Sequence, residues 1–388
     1  SAVALNVVQT LSSIVVTPGS FSLALNQTRN LSAMAYDQFN QSMATQPAFT
    51  WNKVSGVGSI DASGVYSSGA TAGVVTLQAL ANGVAGTATA SVGNTPPTVV
   101  TPASGPTTVT TTNATLTVLG ADDGGENNLT YTWSLTGSPT GGTAGFSANG
   151  TNGAKSTVVT FNRAGSYTFL VTVSDGSLTV TSSVTLSVVQ TISTISVTPG
   201  TASLNLNGTQ ALSAAGYDQF GLAMVTQPTF TWSKTSGVGS VNSSGTYSAG
   251  TTAGSATITA SAGGVSGSAT MTVTNAAPTI ATPASGPGSI TGKTATLSVL
   301  GADDGGEAGL TYSWTLTSTP TGGTASFSAN GTNAAKSTVA TFTKAGSYTF
   351  LVTVSDGSLT TTSSVTLTVS QTLTTIGFSP ASSTLRWM

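Results

Sequence analysis

The sequence predicts an all-β protein built of tandem β-sandwich domains arranged end to end as a rod. Three observations lead to this prediction. Apolar and polar residues alternate with a period of two along many short segments. A long internal repeat runs through the chain without a gap. Charged residues make up only 5% of the 388 residues, but hydrophobic residues make up 38%, which is enough to form packed cores.

The internal repeat has an offset of 181 residues. The segment STVVTFNRAGSYTFLVTVSDGSL at 156–178 returns at 337–359 with 20 of 23 positions identical. The same offset relates Trp51 to Trp232. Because one β-sandwich takes about 100 residues, a repeat of this length predicts two domains in each unit.

Proline-bearing segments divide each repeat unit in two, at 92–100 (VGNTPPTVV) and 273–281 (VTNAAPTIA). Proline interrupts the pairing of strands and stiffens a connection. The predicted organisation is residues 1–8 as the last strand of a preceding domain, complete domains at 9–93, 94–189, 190–274 and 275–370, and 371–388 as the start of a further domain. We call 9–93 and 190–274 the odd domains, and 94–189 and 275–370 the even domains.

The alternation is clearest in GSYTFLVTVSD of the second domain. It places Tyr167, Phe169, Val171 and Val173 on one face of a predicted strand, with mostly threonine and serine on the other. Clusters of Gly, Asn, Asp and Pro separate such segments, as turns require. No segment carries the apolar stripe of a helix.

The two domain types resemble two known families. The odd domains carry AYDQFN and then FTWNKVSGVGSIDASGVYSSGATAGVVTLQA, which resembles the bacterial Ig-like group 2 domains of invasin- and intimin-type adhesins. The even domains carry GADDGGENNLTYTWSL and AGSYTFLVTVSDGSL, which resemble the PKD type of Ig-like domain or a cadherin-like relative. The usual Phe-Gly-Asp-Gly turn is replaced there by SLTGSP and TLTSTP. The resemblance implies Ig-like sandwiches of extracellular spacer, adhesion or carbohydrate-accessory modules, which are not catalytic by themselves.

Large aromatic residues are the predicted centres of the cores. Each domain has one tryptophan in the middle of a strand, at Trp51, Trp133, Trp232 and Trp314. Such a side chain buries on the order of 200 Å² at the centre of a sandwich. Tyr167 and Tyr348 each follow a Gly-Ser turn, where the phenol is placed to bond back to the chain as in a tyrosine corner.

Composition excludes several classes of function. The chain has no Cys and no His, so thiolate chemistry, disulfides and the commonest general base and metal ligand are absent. A net charge of −2 predicts no nucleic-acid partner. No apolar run reaches the roughly 20 residues that span a bilayer, so no membrane span is predicted in this segment. A threonine-rich chain with few charges and no cysteine indicates an exported protein of bacterial type.

The acidic loop GADDGGE is the densest cluster of potential metal ligands. A hard cation such as Ca²⁺ takes six to eight oxygen ligands. The tentative calcium ligands are the loop residues and the aspartates of the two SDGS turns: Asp122, Asp123, Glu126, Asp175, Asp303, Asp304, Glu307 and Asp356. Asp-Gly sequences are also ordinary turn formers, and the spacing does not match an EF-hand. A plain turn is the alternative, and no other cofactor is predicted.

Covalent and catalytic chemistry find little support. Lys53 lies two residues after Trp51 on one predicted strand and points to the same side, so a Lys–Asn isopeptide bond is one hypothesis. That chemistry needs a buried carboxylic acid beside the pair, and the odd domains contain no Glu. The only glutamates, Glu126 and Glu307, lie at equivalent positions of separate domains, so they cannot form a glycosidase pair. We predict that the chain is not an enzyme.

The function predicted from these features is a structural or adhesive repeat region of an extracellular or cell-surface fibre or stalk. Its predicted partners are other copies of itself or neighbouring repeats in a fibre, and cell-surface glycans. The alternative is a spacer or carbohydrate-binding accessory region of a larger secreted enzyme. Residues 1–8 align with the last strand of the even domains and 371–385 with the start of the odd ones. These segments are either parts of a longer array or strands exchanged between subunits.

Overall fold

The computed structural model describes residues 2–377, so part of the segment predicted as the start of a further domain lies outside the described residues. The chain divides into two compact units. The first comprises the residues up to Thr191 together with Asp218–Leu222, and the second comprises Ile192–Tyr217 and the residues from Ala223 onward. Strands dominate both units, and no α-helix occurs among the described residues.

The first domain contains nine strands in three sheets. They are β1 (Leu11–Thr17), β2 (Ser20–Ala24), β3 (Thr28–Asn30), β4 (Ser32–Asp37), β5 (Thr50–Gly56), β6 (Ser59–Ile60), β7 (Val65–Ser67), β8 (Gly73–Ala81) and β9 (Val84–Gly93). The main sheet has the order β2-β9-β8-β5, with β2 parallel to β9, and the smaller sheets pair β1 with β4 and order β3-β7-β6.

The second domain is a sandwich of two four-stranded sheets. Its strands are β10 (Thr98–Ser104), β11 (Thr108–Val109), β12 (Asn113–Ala121), β13 (Thr130–Gly137), β14 (Ala144–Phe146), β15 (Ser156–Phe161), β16 (Gly165–Ser174) and β17 (Thr179–Val188). The sheets have the orders β10-β12-β15-β14 and β11-β17-β16-β13. Two short 3₁₀ helices, Glu126–Asn128 and Asn152–Lys155, lie between strands.

The second unit repeats this plan. The third domain has β18 (Ile192–Thr198), β19 (Thr201–Asn205), β20 (Thr209–Ala211), β21 (Ser213–Asp218), β22 (Thr231–Gly237), β23 (Ser240–Val241), β24 (Thr246–Ser248), β25 (Gly254–Ala262) and β26 (Val265–Thr274). Its sheets are β18-β21, β19-β26-β25-β22 and β20-β24-β23.

The fourth domain has β27 (Thr279–Ser285), β28 (Ser289–Ile290), β29 (Thr294–Ala302), β30 (Thr311–Ser318), β31 (Ala325–Phe327), β32 (Ser337–Phe342), β33 (Gly346–Ser355) and β34 (Thr360–Val369), with 3₁₀ helices at Glu307–Gly309 and Asn333–Lys336. Its sheets are β27-β29-β32-β31 and β28-β34-β33-β30. The same element order in both units is the structural form of the 181-residue repeat.

The predicted core face of β16 is confirmed. Tyr167, Phe169, Val171 and Val173 are all fully buried, because β16 pairs along its whole length with β17 and presents alternate residues to the opposite sheet. The predicted tyrosine corner is also present. The Tyr167 hydroxyl donates to the Arg163 carbonyl oxygen at 3.0 Å, and the Tyr348 hydroxyl donates to the Lys344 carbonyl oxygen at 2.8 Å.

The four tryptophans do not share one environment. Trp133 and Trp314 are 2% and 1% exposed, as predicted for core centres. Trp51 and Trp232 are only half-buried, on the edge strands β5 and β22. Trp51 packs across Gly64, which has φ +85°, and a Cβ there would lie 2.8 Å from Cε2 of the indole.

A polar segment covers the edge strand β13 in the even domain, which explains the deeper burial of Trp133. The Trp133 backbone N–H donates to Asn149 Oδ1 at 2.7 Å, and Asn149 Nδ2 donates back to the Trp133 carbonyl oxygen at 2.9 Å. This side chain imitates a neighbouring strand and satisfies the edge of the sheet. Asn330 and Trp314 form the same pair of bonds in the fourth domain.

Residues 2–10 adopt no regular secondary structure, whereas the sequence predicts a strand at 1–8. Val3 and Leu5 are 83% and 85% exposed. A strand is stable only when its backbone groups pair with a neighbour, and no strand within the described residues pairs with this segment. Residues 371–377 likewise contain no strand.

Candidate functional site

The acidic loops of the even domains lie at the junction with the odd domain that precedes them in the same unit. In the first unit, Asp123 Oδ2 accepts the Leu25 backbone N–H at 2.9 Å, and Asn26 Nδ2 donates to the Asp123 carbonyl oxygen at 2.8 Å. A carboxylate that accepts a backbone N–H forms a strong, charge-assisted hydrogen bond. Two residues of the odd domain are therefore held by one aspartate of the even domain.

The second unit has the same junction between its own two domains. Asp304 Oδ2 accepts the Leu206 N–H at 3.1 Å, and Asn207 Nδ2 donates to the Asp304 carbonyl oxygen at 2.9 Å. The same Oδ2 also accepts the N–H of Ala276, which lies in the connection between the domains. The recurrence of the contact in both units indicates that it is a designed part of the repeat.

The connecting segment is held from a second side by the SDGS turn of the even domain. Asp175 Oδ2 accepts a hydrogen bond from Asn94 Nδ2 at 2.7 Å, and its Oδ1 accepts the N–H groups of Ser177 and Leu178. Asp356 and Asn275 form the same 2.7 Å bond in the second unit. The backbone N–H groups of Leu359 and Ser358 lower the pKa of Asp356 below its ordinary value and outweigh its desolvation.

Glu126 belongs to a separate network inside the even domain. Its carboxylate forms a salt bridge with Lys155 at 3.0 Å, and it also accepts hydrogen bonds from the Tyr131 hydroxyl and Asn152 Nδ2. The hydrogen-bonded Lys155 ammonium is the main cause that lowers the pKa of Glu126 below its ordinary value. Glu307 and Lys336 repeat this ion pair at 3.1 Å.

We expect the stability of both even domains to fall in acid through these glutamates. The folded-state pKa of each is lowered, so the stabilisation is fully present above the ordinary, unfolded pKa near 4.5 and is lost as the pH falls through the folded pKa. Thermal unfolding followed by calorimetry from pH 7 to pH 3 measures this loss.

The matched control for the acid titration is the double variant Glu126→Gln, Glu307→Gln. It should have a lower Tm at pH 7 and a shallower decrease below pH 4.5, because the titrating pair is gone. A variant whose Tm falls as steeply in acid as that of the unaltered chain would contradict this assignment.

The structure divides the eight predicted calcium ligands among separate networks. Asp122 Oδ2 accepts the Gly124 N–H at 2.8 Å, Asp123 contacts the odd domain, Glu126 pairs with Lys155, and Asp175 holds Asn94. Within residues 2–377 no group of three or more His, Cys, Asp or Glu side chains is placed to hold a metal ion. The turn alternative accounts for the Gly124 contact.

One feature of the loop is compatible with a cation. The Oδ1 atoms of Asp122, Asp123, Asp303 and Asp304 are buried and have no hydrogen-bond partner. Two such oxygens at each loop are fewer than the six to eight that calcium takes, so backbone oxygens and water would have to supply the rest. Calcium binding stays a prediction; a Tm that is higher in calcium than in EDTA would support it, and equal values would contradict it.

The lysines considered for a covalent cross-link have other partners. Lys53 Nζ donates to the Gly58 carbonyl oxygen at 2.8 Å, and Lys234 Nζ donates to the Gly237 carbonyl oxygen at 2.6 Å. Both side chains belong to exposed residues. This is the arrangement of a long side chain whose charged end reaches the surface.

A second conserved-geometry element of the repeat is the Asp-Gln-Phe turn, residues 37–41 and 218–222. In the first domain, Asp37 is buried and its Oδ1 accepts the N–H groups of Phe39 and Gln41 at 2.9 Å. Its Oδ2 accepts a bond from Gln9 Nε2 at 2.8 Å, so the turn also holds the residues that lead into the domain. The Gln41 N–H is the main cause that lowers the pKa of Asp37.

Several of these residues were missed by the reading of the sequence. Asn26 and Asn94 carry no chemistry that marks them as junction residues, and their partners are 97 and 81 positions away. The available signal was their recurrence at the 181-residue offset, as Asn207 and Asn275. Lys155 was missed in the same way, although it recurs as Lys336.

Comparison with known proteins places one domain in a family. Residues 289–369 match the model of a PKD domain. A search of curated protein sequences gave no match. Within residues 2–377 the structure contains no helix with the length and hydrophobicity needed to cross a bilayer.

Among solved structures, the chain is similar to the ectodomain of human desmocollin-1, with 12% identity over 94% of this chain and 81% of that chain and a TM-score of 0.30. It is similar to immunoglobulin domains 1–5 of Sidekick-1, with 17% identity, 91% and 78% coverage and a TM-score of 0.29. It is also similar to domains 1–6 of the surface layer protein SbsC, with 18% identity, 95% and 54% coverage and a TM-score of 0.23. Similarity at this level carries no argument about function.

The PKD match covers most of the fourth domain, and the second domain repeats its strands, its sheet orders and its Glu-Lys ion pair at the 181-residue offset. The odd domains are sandwiches of a different strand order. The chain is therefore a tandem array of Ig-like and PKD-like β-sandwich domains.

Proposed function

We propose that this chain is a non-enzymatic structural or adhesive repeat region of an extracellular or cell-surface fibre or stalk. The observation that carries the proposal is the junction within each unit. Asp123 with Asn26, and Asp304 with Asn207, join an odd domain to the next even domain by the same hydrogen bonds. A chain that repeats its junctions as faithfully as its cores is suited to hold successive domains in a fixed relation.

The chemistry of the described residues supports the same proposal. The two glutamates are each engaged by a lysine and a tyrosine hydroxyl, and the aspartates of the acidic loops and SDGS turns accept backbone or asparagine N–H groups. Acidic groups with such partners stabilise turns and junctions. The domains then act as spacers in series, in which no single domain carries the function.

Deletion of one repeat unit tests the proposal in cells of the source organism. Removing residues 9–189 joins residue 8 to residue 190 and preserves the repeat register, since Val8 and Val189 are 181 positions apart. Immunogold labelling of intact cells should find the chain at the cell surface. With the label at a tag beyond the repeats, the deletion should shorten its distance from the cell without removing it.

Two results would contradict the proposal. Label confined to the cytoplasm would exclude a fibre or stalk. A shortened chain whose label stays at the original distance would exclude a spacer role. Retention of the purified chain on insoluble polysaccharide, with the cell surface unlabelled, would favour the alternative of an accessory region of a secreted enzyme.

A further inference from the structure

The two Asp-Gln-Phe turns have the same internal geometry but different surroundings. In the first domain, Gln38 Nε2 donates to the Val8 carbonyl oxygen and Gln38 Oε1 accepts the Thr10 N–H. In the second turn, Gln219 forms the equivalent bonds with Val189 and Thr191. The turns are thus preformed in the same shape, whether or not another domain lies against them.

The difference lies in the phenylalanine. Phe220 is half-buried and packs against the hydrophobic core of the even domain 94–189, and the turn that carries it groups with the first unit. Thr191 Oγ1 also donates to the Thr110 carbonyl oxygen at the same end of that domain. Phe39, at the equivalent position of the first domain, is 62% exposed.

The fourth domain has an unfilled cavity at the end that is equivalent to the one next to Phe220. The cavity has a volume of about 290 Å³ and its lining includes Thr291, Phe342, Lys344, Val369 and Thr372. The 181-residue offset maps these residues to Thr110, Phe161, Arg163, Val188 and Thr191 of the first unit. Phe161 and Val188 belong to the core cluster against which Phe220 packs.

The cavity therefore has the composition and the size for an aromatic side chain. Apolar cavities of about 150 Å³ bind a benzene ring, and the cavity at the fourth domain is larger. Its apolar floor is formed by Phe342 and Val369, which are 4% and 7% exposed. An exposed phenylalanine on a preformed turn is the complementary surface, and this chain carries both.

We propose that the Asp-Gln-Phe turn of one copy of this chain, with Phe39 at its tip, docks into the cavity at the end of the fourth domain of a second copy. The contact repeats between chains what Phe220 does within the first unit. Because the turn and the cavity are different surfaces of the molecule, the contact is heterologous and adds copies head to tail. The inference deepens the fibre proposed above and rests on it for its biological meaning.

Sedimentation of the purified full chain over a concentration series tests the contact. The unaltered chain should form dimers and longer species as its concentration rises. Phe39→Ala should weaken the association at least about 10-fold, since buried aromatic anchors dominate the energetics of interfaces. The side chain is exposed in the single chain, so this variant keeps its fold, which circular dichroism checks.

A matched control and a partner variant sharpen the test. Val74 is 66% exposed in the same domain, and its equivalent in the third domain is Ser255, so Val74→Ser should associate like the unaltered chain. Thr291→Arg places a bulky charge at the mouth of the cavity from an exposed position and should abolish association. An equimolar mixture of Phe39→Ala and Thr291→Arg should form dimers that do not grow, because each pair retains one intact contact.

Three outcomes would overturn the inference. They are a chain that stays monomeric at every concentration, a Phe39→Ala variant that associates as the unaltered chain does, and a mixture that grows beyond dimers. A monomeric chain would mean that a domain of the same polypeptide, or another protein, covers the cavity. Because this experiment uses purified protein, it can fail while surface labelling succeeds, and the two proposals are judged separately.

Discussion

Trp133→Ala should destabilise the second domain by about 3–5 kcal/mol, a large part of the 5–15 kcal/mol that holds an ordinary domain folded. Trp133 is 2% exposed, and its Nε1 donates to the Ala154 carbonyl oxygen at 2.8 Å inside the core. The substitution leaves a cavity and also removes the partner of a buried carbonyl group. Chemical denaturation followed by circular dichroism measures the effect as the early loss of one transition.

Two variants serve as controls for this experiment. Trp314→Ala should shift the transition of the fourth domain by a similar amount, because its indole makes the same 2.8 Å bond to Ala335. Trp51→Ala should cost less than half as much, because that side chain is only half-buried. Equal losses at Trp133 and Trp51 would show that burial does not govern the contribution of these residues.

Asp123→Ala should release the junction of the first unit while leaving both of its cores intact. The substitution removes the acceptor of the Leu25 N–H, and Leu25 is a buried residue of the odd domain. A buried donor left without a partner costs about 1–3 kcal/mol. That cost falls on the contact between the domains, so we expect a wider range of interdomain distances with little change in the denaturation of either domain.

The absence of cysteine makes this measurement direct, since introduced cysteines are the only sites for spin labels. Asn52→Cys and Thr132→Cys place one label at an exposed position of each domain. Pulsed electron paramagnetic resonance should give a narrow distance distribution, which Asp123→Ala broadens. Asp122→Ala is the control, since its Oδ2 bonds only within the loop, and it should leave the distribution narrow. Equal broadening by the two variants would contradict the assignment.

The local features of the fold could be predicted from the sequence, and the junctions could not. Alternation identified the buried face of β16 because each strand residue reports its own side of the sheet. The resemblance of the even domains to a PKD domain likewise agrees with the match at 289–369. The burial of Trp133 was expected, but its difference from Trp51 was not, because it depends on Asn149, which covers one edge strand and has no equivalent in the other domain type.

The role of the acidic loop shows where sequence reading stops. Local spacing suggested either a metal site or a turn for Asp122 and Asp123, and both alternatives were confined to the loop itself. The contact of Asp123 with Leu25 spans 98 positions, and that of Glu126 with Lys155 spans 29. Such contacts are set by how sheets close and how domains meet, and residue spacing along the chain contains no record of either.

The alternation of two domain types also affects how the chain reaches its native state. The strands β16 and β33 lie in segments that share 20 of 23 residues, so each could pair wrongly with the sheet of the other domain. Multidomain chains with near-identical neighbours are prone to such exchange during folding. Here a sandwich of different strand order lies between the two copies, so the first even domain can complete its sheets during synthesis before the second one emerges from the ribosome. The unlike neighbour thus acts as a separator that keeps similar strands apart while each is still unpaired.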